Sequence, residues 1–552
     1  MKLTGAQILI RELIVLGARK IFGYPGGSVL DIYDELYKNT DKITHYITAH
    51  EQGATHAADG YARMSGEPGV IIATSGPGST NLVTGIANAF LDSVPLIAIT
   101  GNVSTSLIGK DSFQEVNIVG ITMPITKHNY SLRSAKDIKR IVHEAFYIAS
   151  SDRPGPVLID IPKDIQQEVV EYDDCCEFKP PLKSYKINVA SAISLLRDAK
   201  RPYIYAGGGV VISGGSNALV DFAEKLNAPV ATSLMGVTAI PYDHKLALGM
   251  AGMHGRYAAT KALSECDLLI AIGVRFSDRA TGNKEKFLQH CKVLQIDIDR
   301  AEINKNIKVD EYIIGDVREI LETLIDNMQI KAKDTWLNHI YELKNSKANL
   351  LCKSANKLTP KDIIESVQNV LGETPVATDV GQHQMWTAQY YGFTKPRAFL
   401  TSGGLGTMGY GMGAAIGACI ALNNQRVVLF TSDGSFHMNL NELATCAQYN
   451  LQVVVIVLDN NALGMVRQWQ TMFYGGRYSQ TTLNRKTNYV DLACAFGAFG
   501  FSVHTIDELQ KALQKARQTS KKPVLIHCIL DQDENVFPMI PPNGTINDII
   551  IR

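Results

Sequence analysis

The sequence predicts an α/β protein of three domains, each a mostly parallel sheet flanked by helices. Short apolar runs recur, each ending in glycine or small polar residues and each followed by a helical pattern. That alternation builds parallel sheets with helices on both faces. The length of 552 residues exceeds a single core and divides into roughly three to four domains at about 150 residues each. Two polar stretches without periodicity interrupt the chain, Glu168 to Tyr185 and Met328 to Lys357, the second Lys/Asn-rich with one helix-like patch. The expected domains are therefore 1–168, 186–328 and 358–552. The last ends in a stretch, Asn535 to Arg552, whose prolines (Pro538, Pro541, Pro542) read as a tail folded over a neighbour.

In chain order, Ala6 to Leu16 is amphipathic and predicts a helix. Ile21-Phe22 is a strand running into the glycine loop Gly23-Tyr24-Pro25-Gly26-Gly27. Ile43 to Thr48 is a strand feeding His50-Glu51-Gln52-Gly53. Val70 to Thr74 feeds Gly76-Pro77-Gly78-Ser79, and Leu96 to Thr100 is a further strand. In the second block Tyr203 to Ala206 runs into Gly207-Gly208-Gly209, followed by strands at Leu268 to Ile272 and Val293 to Ile298. In the third, Arg426 to Ser432 is a strand ending in Asp433-Gly434-Ser435. A helix is expected over Asn439 to Tyr449, and Val453 to Leu458 delivers Asp459-Asn460-Asn461 to the same edge. The first and third blocks share one grammar, which suggests paired domains.

Composition excludes several classes of function. Lys+Arg and Asp+Glu are equal at 54 each, with no basic block, which argues against nucleic acid or an anionic membrane surface as partner. Ala398 to Gln425 is nearly free of charge but glycine-rich, which suits a tightly packed interior helix better than lipid. The nine cysteines, among them Cys175-Cys176, Cys352, Cys266, Cys291, Cys419, Cys446, Cys494 and Cys528, lack metal-ligand spacing, and their odd number suits reduced thiols in a cytosol. Met1-Lys2-Leu3-Thr4-Gly5 opens directly into a helix pattern, so no targeting peptide is expected.

The strongest chemistry lies in the third block. Asp433 and Asn460, on consecutive strands of one βαβ unit, come together at the carboxyl edge, where open α/β sheets bind ligands. A carboxylate, an amide oxygen and a main-chain carbonyl suit Mg²⁺, which takes the rest of its six oxygens from water and phosphates. In the first block, Glu51 opens a helix whose inward stripe is Ala54, Ala57, Ala58, Tyr61 and Ala62, narrow enough for another helix to approach closely.

These stretches resemble the thiamine-diphosphate signature, Gly-Asp-Gly through Asn-Asn, with Ser432 in place of the first glycine. Nearly the whole chain is similar to the large catalytic subunit of the acetohydroxyacid (acetolactate) synthase family, of the anabolic type. The matching motifs include Phe22 to Gly27, Ala49 to Gln52, Thr74 to Gly78, Phe113-Gln114-Glu115, Gly381 to Trp386, Gly403 to Gly409 and Gly464 to Gln470. The resemblance implies pyrimidine-binding, FAD-binding and diphosphate-binding domains in that order. It implies decarboxylation of pyruvate and condensation with a second 2-keto acid, pyruvate or 2-ketobutyrate, in branched-chain amino acid biosynthesis. Asp433, Asn460 and the Ala462 carbonyl would ligate Mg²⁺. Gln382, His383, Gly434 and Ser435 would hold the diphosphate, with Gly406 and Met465 beside the cofactor and Met408 bending it. Glu51 would relay a proton through the aminopyrimidine. Gly27 would meet the substrate oxygen, and Phe113, Gln114 and Lys163 would line the pocket from a partner subunit. Arg279 would bind the incoming carboxylate and Trp469 its side chain. FAD would lie on Arg153, Met253, His254, Gly255, Gly273, Arg275, Asp297 and Asp316, although Ser277 stands where the family has Asp. The resemblance further implies a homodimer or tetramer with a small regulatory subunit, in the cytoplasm.

Rival readings fail on particular residues. Gly404-Leu405-Gly406-Thr407-Met408-Gly409 fits a dinucleotide-binding dehydrogenase, but that leaves Glu51 and Asn460 unused. Gly109-Lys110 is followed by Asp111, so it is no phosphate-binding P-loop, and His50-Glu51 lacks the second histidine of a zinc protease. An FAD-bearing pyruvate oxidase and a 2-keto acid decarboxylase stay open as alternatives within the same cofactor family.

Overall fold

The computed structural model describes every residue except 175–177, 182–184, 186, 286, 289–290, 330–333, 347–357 and 552. Cys175, Cys176 and Cys352 therefore lie outside the described residues, as do parts of both expected boundaries.

The chain opens with β1 (Lys2–Thr4). A six-stranded sheet follows, built from β2 (Lys20–Tyr24), β3 (Thr44–Ile47), β4 (Gly69–Ala73), β5 (Leu96–Asn102), β6 (His128–Ser131) and β7 (Pro156–Pro162). Its spatial order is β3-β2-β4-β5-β7-β6, and every neighbouring pair is parallel. The chain then returns along β8 (Val169–Glu171), antiparallel to β1. This corrects one expectation: the stretch beginning at Glu168 is not all linker, because its first residues pair with the chain's opening strand.

The central sheet holds β9 (Pro202–Ala206), β10 (Val230–Thr232), β11 (Ala247–Met250), β12 (Leu268–Ile272), β13 (Lys292–Asp297) and β14 (Glu311–Ile314), in the order β11-β10-β9-β12-β13-β14. Helix Asp334–Lys344 packs back onto this unit: Trp336 is buried and its indole N–H donates to the Pro202 carbonyl at 2.9 Å. The third sheet holds β15 (Val376–Thr378), β16 (Phe399–Leu400), β17 (Val427–Ser432), β18 (Val453–Asp459), β19 (Phe499–Val503) and β20 (Val524–Ile529), ordered β16-β15-β17-β18-β20-β19. Numbered within their own sheets, the first and third domains have one strand permutation, 2-1-3-4-6-5. The central one has 3-2-1-4-5-6, the order of dinucleotide-binding doubly wound sheets. Strands β4, β5, β7 and β18 are buried along their whole length, which is why they read as unbroken apolar runs.

The expected helix over Asn439–Tyr449 is two helices, Asp433–Asn439 and Glu442–Gln448. The first begins at Asp433 itself because the Ser432 hydroxyl accepts the Ser435 N–H at 3.4 Å and caps the turn. Ala398–Gln425 supplies β16, a loop and helix Tyr410–Ala421. Among the described residues no helix is long and apolar enough to cross a membrane.

The first and third domains are joined by helix Glu51–Ser65 lying against helix Tyr410–Ala421. The alanine stripe is fully buried, and the facing helix meets it with glycines. A Cβ on Gly417 would sit 1.8 Å from the Ala57 carbonyl oxygen, and one on Gly60 would sit 2.2 Å from that of Ala414. The tail crosses the seam between the third and central domains: Val536 and Met539 are fully buried, and Ile540 N–H donates to the Met253 carbonyl at 2.9 Å.

Gly417→Ala should therefore push the two helices apart and destabilise the protein by about 3 kcal/mol, the upper range for overpacking a rigid contact. The urea midpoint measures this, and an unchanged midpoint would remove the helix pair as the joint.

Candidate functional site

Each sheet presents its functional side chains at the carboxyl ends of its strands. In the third domain, β15 ends at Gly381-Gln382-His383, β17 at Asp433 and β18 at Asn460, so the first two flank the point where strand order reverses. Ligands bind at such switch points. Asp433 is buried, and its Oδ1 has no hydrogen-bond partner. Burial, reinforced by the neighbouring Asp459 carboxylate, pushes its pKa well above the usual carboxylate range. A buried acid in that state is stabilised by a cation. The Asn460 amide donates to Gln382 Oε1 at 3.2 Å, which turns Asn460 Oδ1 the other way. Ala462 bridges Thr482 through its neighbours: the Asn461 carbonyl accepts from Leu483 N–H and Leu463 N–H donates to Thr481, both at 2.8 Å. The polar groups of Ala462 itself face away from that pairing. Among the described residues no group of three His, Cys, Asp or Glu side chains could hold a metal. The donor set at this edge is instead carboxylate, amide and carbonyl oxygen, which fits a hard cation such as Mg²⁺.

A cavity of about 80 Å³ adjoins this edge, lined by Gly381, Gln382, His383, Met408, Asn460, Ala462 and Met465 among others. His383 is fully buried with Nε2 unpartnered, and burial lowers its pKa to about 3, so the ring is neutral. Ser435 Oγ donates to the Val380 carbonyl at 3.1 Å. A Cβ on Gly434 would lie 3.7 Å from the Met408 methyl, which puts that side chain over the Asp433 turn. Met408 and Met465 also line a much larger cavity of about 1980 Å³, together with Gly406, Trp469 and Arg279. Arg279 sits with its guanidinium 5.4 Å from the Trp469 ring centroid. The Trp469 indole N–H has no hydrogen-bond partner.

The large cavity runs into the central domain. Arg153, Met253, His254, Gly273, Arg275, Asp297 and Asp316 all line it, and so do Gly208, Gly209 and Ser277. Gly255 does not; it lies behind, with its N–H donated to the Gly252 carbonyl at 2.9 Å. Gly209 and Gly273 face one another across the central switch point, where a side chain on either would meet the other's backbone. Burial lifts Asp297 to about 6 and lowers His254 to about 4. Asp316 caps the next helix, accepting from Arg318 N–H at 2.8 Å.

The first-domain residues form a separate group. Glu51 opens its helix after the β3 strand, half-buried, and accepts from the Asn81 amide at 2.9 Å. Its other oxygen faces the Gly78 turn. Gln114, at positive φ, packs on the Gly76 turn, Gly27 begins the turn after β2, and Lys163 begins the helix after β7. Phe113 is 88% exposed. None of these five lines either cavity.

Sequence reasoning missed Asn81, the Arg485 and His437 side chains that both bind the Asp433 carbonyl, at 3.1 and 2.6 Å, and Gln468. Gln468 Oε1 accepts from Gln382 at 3.2 Å and from Val536 N–H at 2.9 Å, tying the tail to the carboxyl edge of the third sheet.

Models of the thiamine pyrophosphate enzymes match the chain three times: an N-terminal TPP binding domain over residues 3–121, a central domain over 189–324 and a C-terminal TPP binding domain over 379–528. Among curated relatives, a probable acetolactate synthase large subunit of Methanocaldococcus jannaschii is 45% identical, covering 99% of this chain and 95% of its own. The acetolactate synthase large subunit of Buchnera aphidicola subsp. Schizaphis graminum is 43% identical over 100% and 99% of the two chains. The isozyme 3 large subunit of Escherichia coli is 41% identical over 99% and 98%.

Asp433→Asn should lower Mg²⁺-dependent uptake of thiamine diphosphate by roughly 100-fold or more, measured by calorimetry. The cofactor-free variant should be no less thermally stable than the parent, because a neutral amide of the same shape escapes the burial cost that raises the carboxyl's pKa. Undiminished uptake would exclude Asp433 as a ligand.

Proposed function

The chain belongs to the acetolactate synthase large subunits of the thiamine pyrophosphate enzymes, and from that premise we propose how its residues divide the work. It is a thiamine-diphosphate-dependent enzyme that decarboxylates pyruvate and joins the two-carbon remainder to a second 2-keto acid, giving 2-acetolactate for branched-chain amino acid biosynthesis. With 2-ketobutyrate as the second substrate the product is 2-aceto-2-hydroxybutyrate.

The observation that carries the site assignment is the unpartnered, buried oxygen of Asp433, at the end of the strand paired with the one that delivers Asn460. Asp433, Asn460 and the Ala462 carbonyl hold Mg²⁺, and Gln382, His383, Gly434 and Ser435 hold the diphosphate. The neutral state of His383 suits a hydrogen-bond role rather than a second cation. Thiamine diphosphate, when bound, supplies the electron sink that stabilises the carbanion left by loss of CO₂. Met408 keeps the cofactor bent, with Gly406 and Met465 completing the apolar wall. Glu51 holds the proton at N1′ of the aminopyrimidine; its half-buried place at a helix start, with Asn81 fixing one oxygen, leaves the other for that contact. Gly27 offers its N–H to the substrate oxygen.

Arg279 binds the carboxylate of the second keto acid, and Trp469, beneath the guanidinium, packs its side chain. FAD occupies the central part of the large cavity along Arg153, Met253, His254, Gly273, Arg275, Asp297 and Asp316, with Gly255 shaping the turn behind. The 3-2-1-4-5-6 strand order supports a dinucleotide there. Ser277 lines the same cavity and, in place of a carboxylate, contributes a hydroxyl. Phe113, Gln114 and Lys163 line the pocket of a second copy. Their distance from either cavity of their own chain, and the exposure of Phe113, support at least a homodimer. A small regulatory subunit is the remaining partner, and the cytosol is the assigned compartment.

Glu51→Gln should still bind thiamine diphosphate but lose about 100-fold or more in kcat, the scale of a lost proton relay; full activity would exclude that role. In competition between pyruvate and 2-ketobutyrate, Trp469→Leu should lower the preference for the larger substrate by about 10-fold. An unchanged product ratio would free Trp469 from specificity. Acetolactate as the main product of the parent, rather than peroxide or free acetaldehyde, separates synthase from oxidase and decarboxylase.

A further inference from the structure

One short segment of the first domain, Asn88–Ser93, touches both other domains at residues that line the large cavity, one of them at the start of the loop whose Met408 also lines the small cavity. The Asp92 carboxylate is buried and accepts from two consecutive main-chain N–H groups of the third domain, Gly403 at 3.0 Å and Gly404 at 2.7 Å. Arg63 donates to the same carboxylate at 2.9 Å and to Asp59 at 2.6 Å. The Asn88 carbonyl accepts from the Ser402 hydroxyl at 2.5 Å, while its amide donates to Asp59 at 3.1 Å. The loop from Ser402 to Gly409, which carries Met408, is therefore docked onto first-domain side chains at its start. In the other direction, the Leu91 carbonyl accepts from Arg275, and the Ser93 hydroxyl accepts from Arg153 at 2.9 Å. Both arginines line the large cavity.

We propose that Asp92 is a positioning residue that sets the height of the Met408 loop, and that Asn88–Ser93 couples the flavin site to the thiamine site. The inference rests on the site assignments above. A ligand that orders Arg275 and Arg153 fixes Leu91 and Ser93, which flank Asp92. Asp92 in turn holds Gly403 and Gly404, and they fix where Met408 stands. FAD bound in the large cavity would then pre-arrange the thiamine pocket through three residues of main chain, Leu91 to Ser93. Thermodynamic reciprocity demands that thiamine diphosphate tighten flavin binding by the same factor.

Two substitutions isolate the connection. Asp92→Asn keeps the side chain's shape but removes an acceptor and the charge facing Arg63. Gly404→Ala keeps both charges of the Asp92–Arg63 pair, but its methyl would lie 2.9 Å from Asp92 Oδ1 and 3.1 Å from the Leu91 carbonyl oxygen, so the loop and the segment beneath it must separate. On full-length protein stripped of cofactors, calorimetry measures Mg²⁺·thiamine diphosphate affinity with and without FAD, and FAD affinity by flavin fluorescence with and without thiamine diphosphate. The parent is expected to show a reciprocal enhancement of roughly 5-fold or more. In Gly404→Ala that factor, read as a ratio within the variant because Gly404 and Asp92 themselves line the large cavity, falls to near one, and Asp92→Asn behaves the same way where it folds. A parent that binds both cofactors independently, or a Gly404→Ala variant that keeps the full enhancement, would overturn the proposal. A parent that takes up neither cofactor would instead fail the site assignments themselves.

Discussion

The molecule depends on one contact, the seating of helix Glu51–Ser65 against helix Tyr410–Ala421. Alanines on one and glycines on the other bring the two backbones together so closely that no side chain fits between Gly417 and Ala57. This packing gains little from large apolar side chains. It gains from dispersion over two smooth surfaces, and from the polar network at one end, where Tyr410 donates to Asp59 at 2.6 Å. Gly and Ala are needed because two sheets of identical topology are joined back to back through these helices, and the helix separation sets how both sheet edges are presented. Glu51 begins one of the two helices, and the Met408 loop leads into the other.

Buried charge is compensated locally at several places in the structure, and Asp433 departs from that pattern. Asp92 has Arg63 and two N–H groups. Asp379 has the Gly411 N–H at 2.7 Å and the Thr431 hydroxyl at 2.5 Å. Glu442 takes the N–H groups of Ala49 and His50 at 3.1 and 3.0 Å. Each acid is compensated where it lies, as buried carboxylates must be. Asp433 keeps an oxygen with no partner, and that exception falls at the switch point of a sheet whose topology directs ligands there. The coincidence of an uncompensated acid with a topological binding position makes a metal site a stronger reading than an Asp-Gly turn.

Much of this was legible in the sequence because the fold writes its chemistry at strand ends. An apolar run that stops at Gly26-Gly27, Asp433 or Asn460 marks both the strand and the residue it presents, so the fold class and the paired domains followed from local pattern, as did the meeting of Asp433 and Asn460 at one carboxyl edge. The alanine stripe announced a close helix partner, and the partner proved to be glycine-rich Tyr410–Ala421. What stayed hidden lies in ordinary helical surroundings with distant partners. Asp92 reads as an acid at a helix end, and only the fold reveals that residues 403 and 404 rest on it. Gln468 sits inside a motif assigned to substrate, yet it hydrogen-bonds the tail. The opening strand's pairing with Val169–Glu171 was missed because two three-residue strands carry no periodicity of their own.

The proposal of a second copy follows from symmetry as well as exposure. The first and third domains share one strand permutation, so each presents an equivalent carboxyl edge with its own functional residues: Gly27, Glu51 and the Gly76–Gly78 turn on one, Gln382, Asp433 and Asn460 on the other. Within one chain Gly27, Glu51 and the Gly76–Gly78 turn line neither of the two cavities. Two copies related by a two-fold axis can set the first edge of each against the third edge of the other, giving two equal composite sites from one interface. The exposed Phe113 would then acquire a partner surface. A lone chain would carry every functional residue and complete neither site.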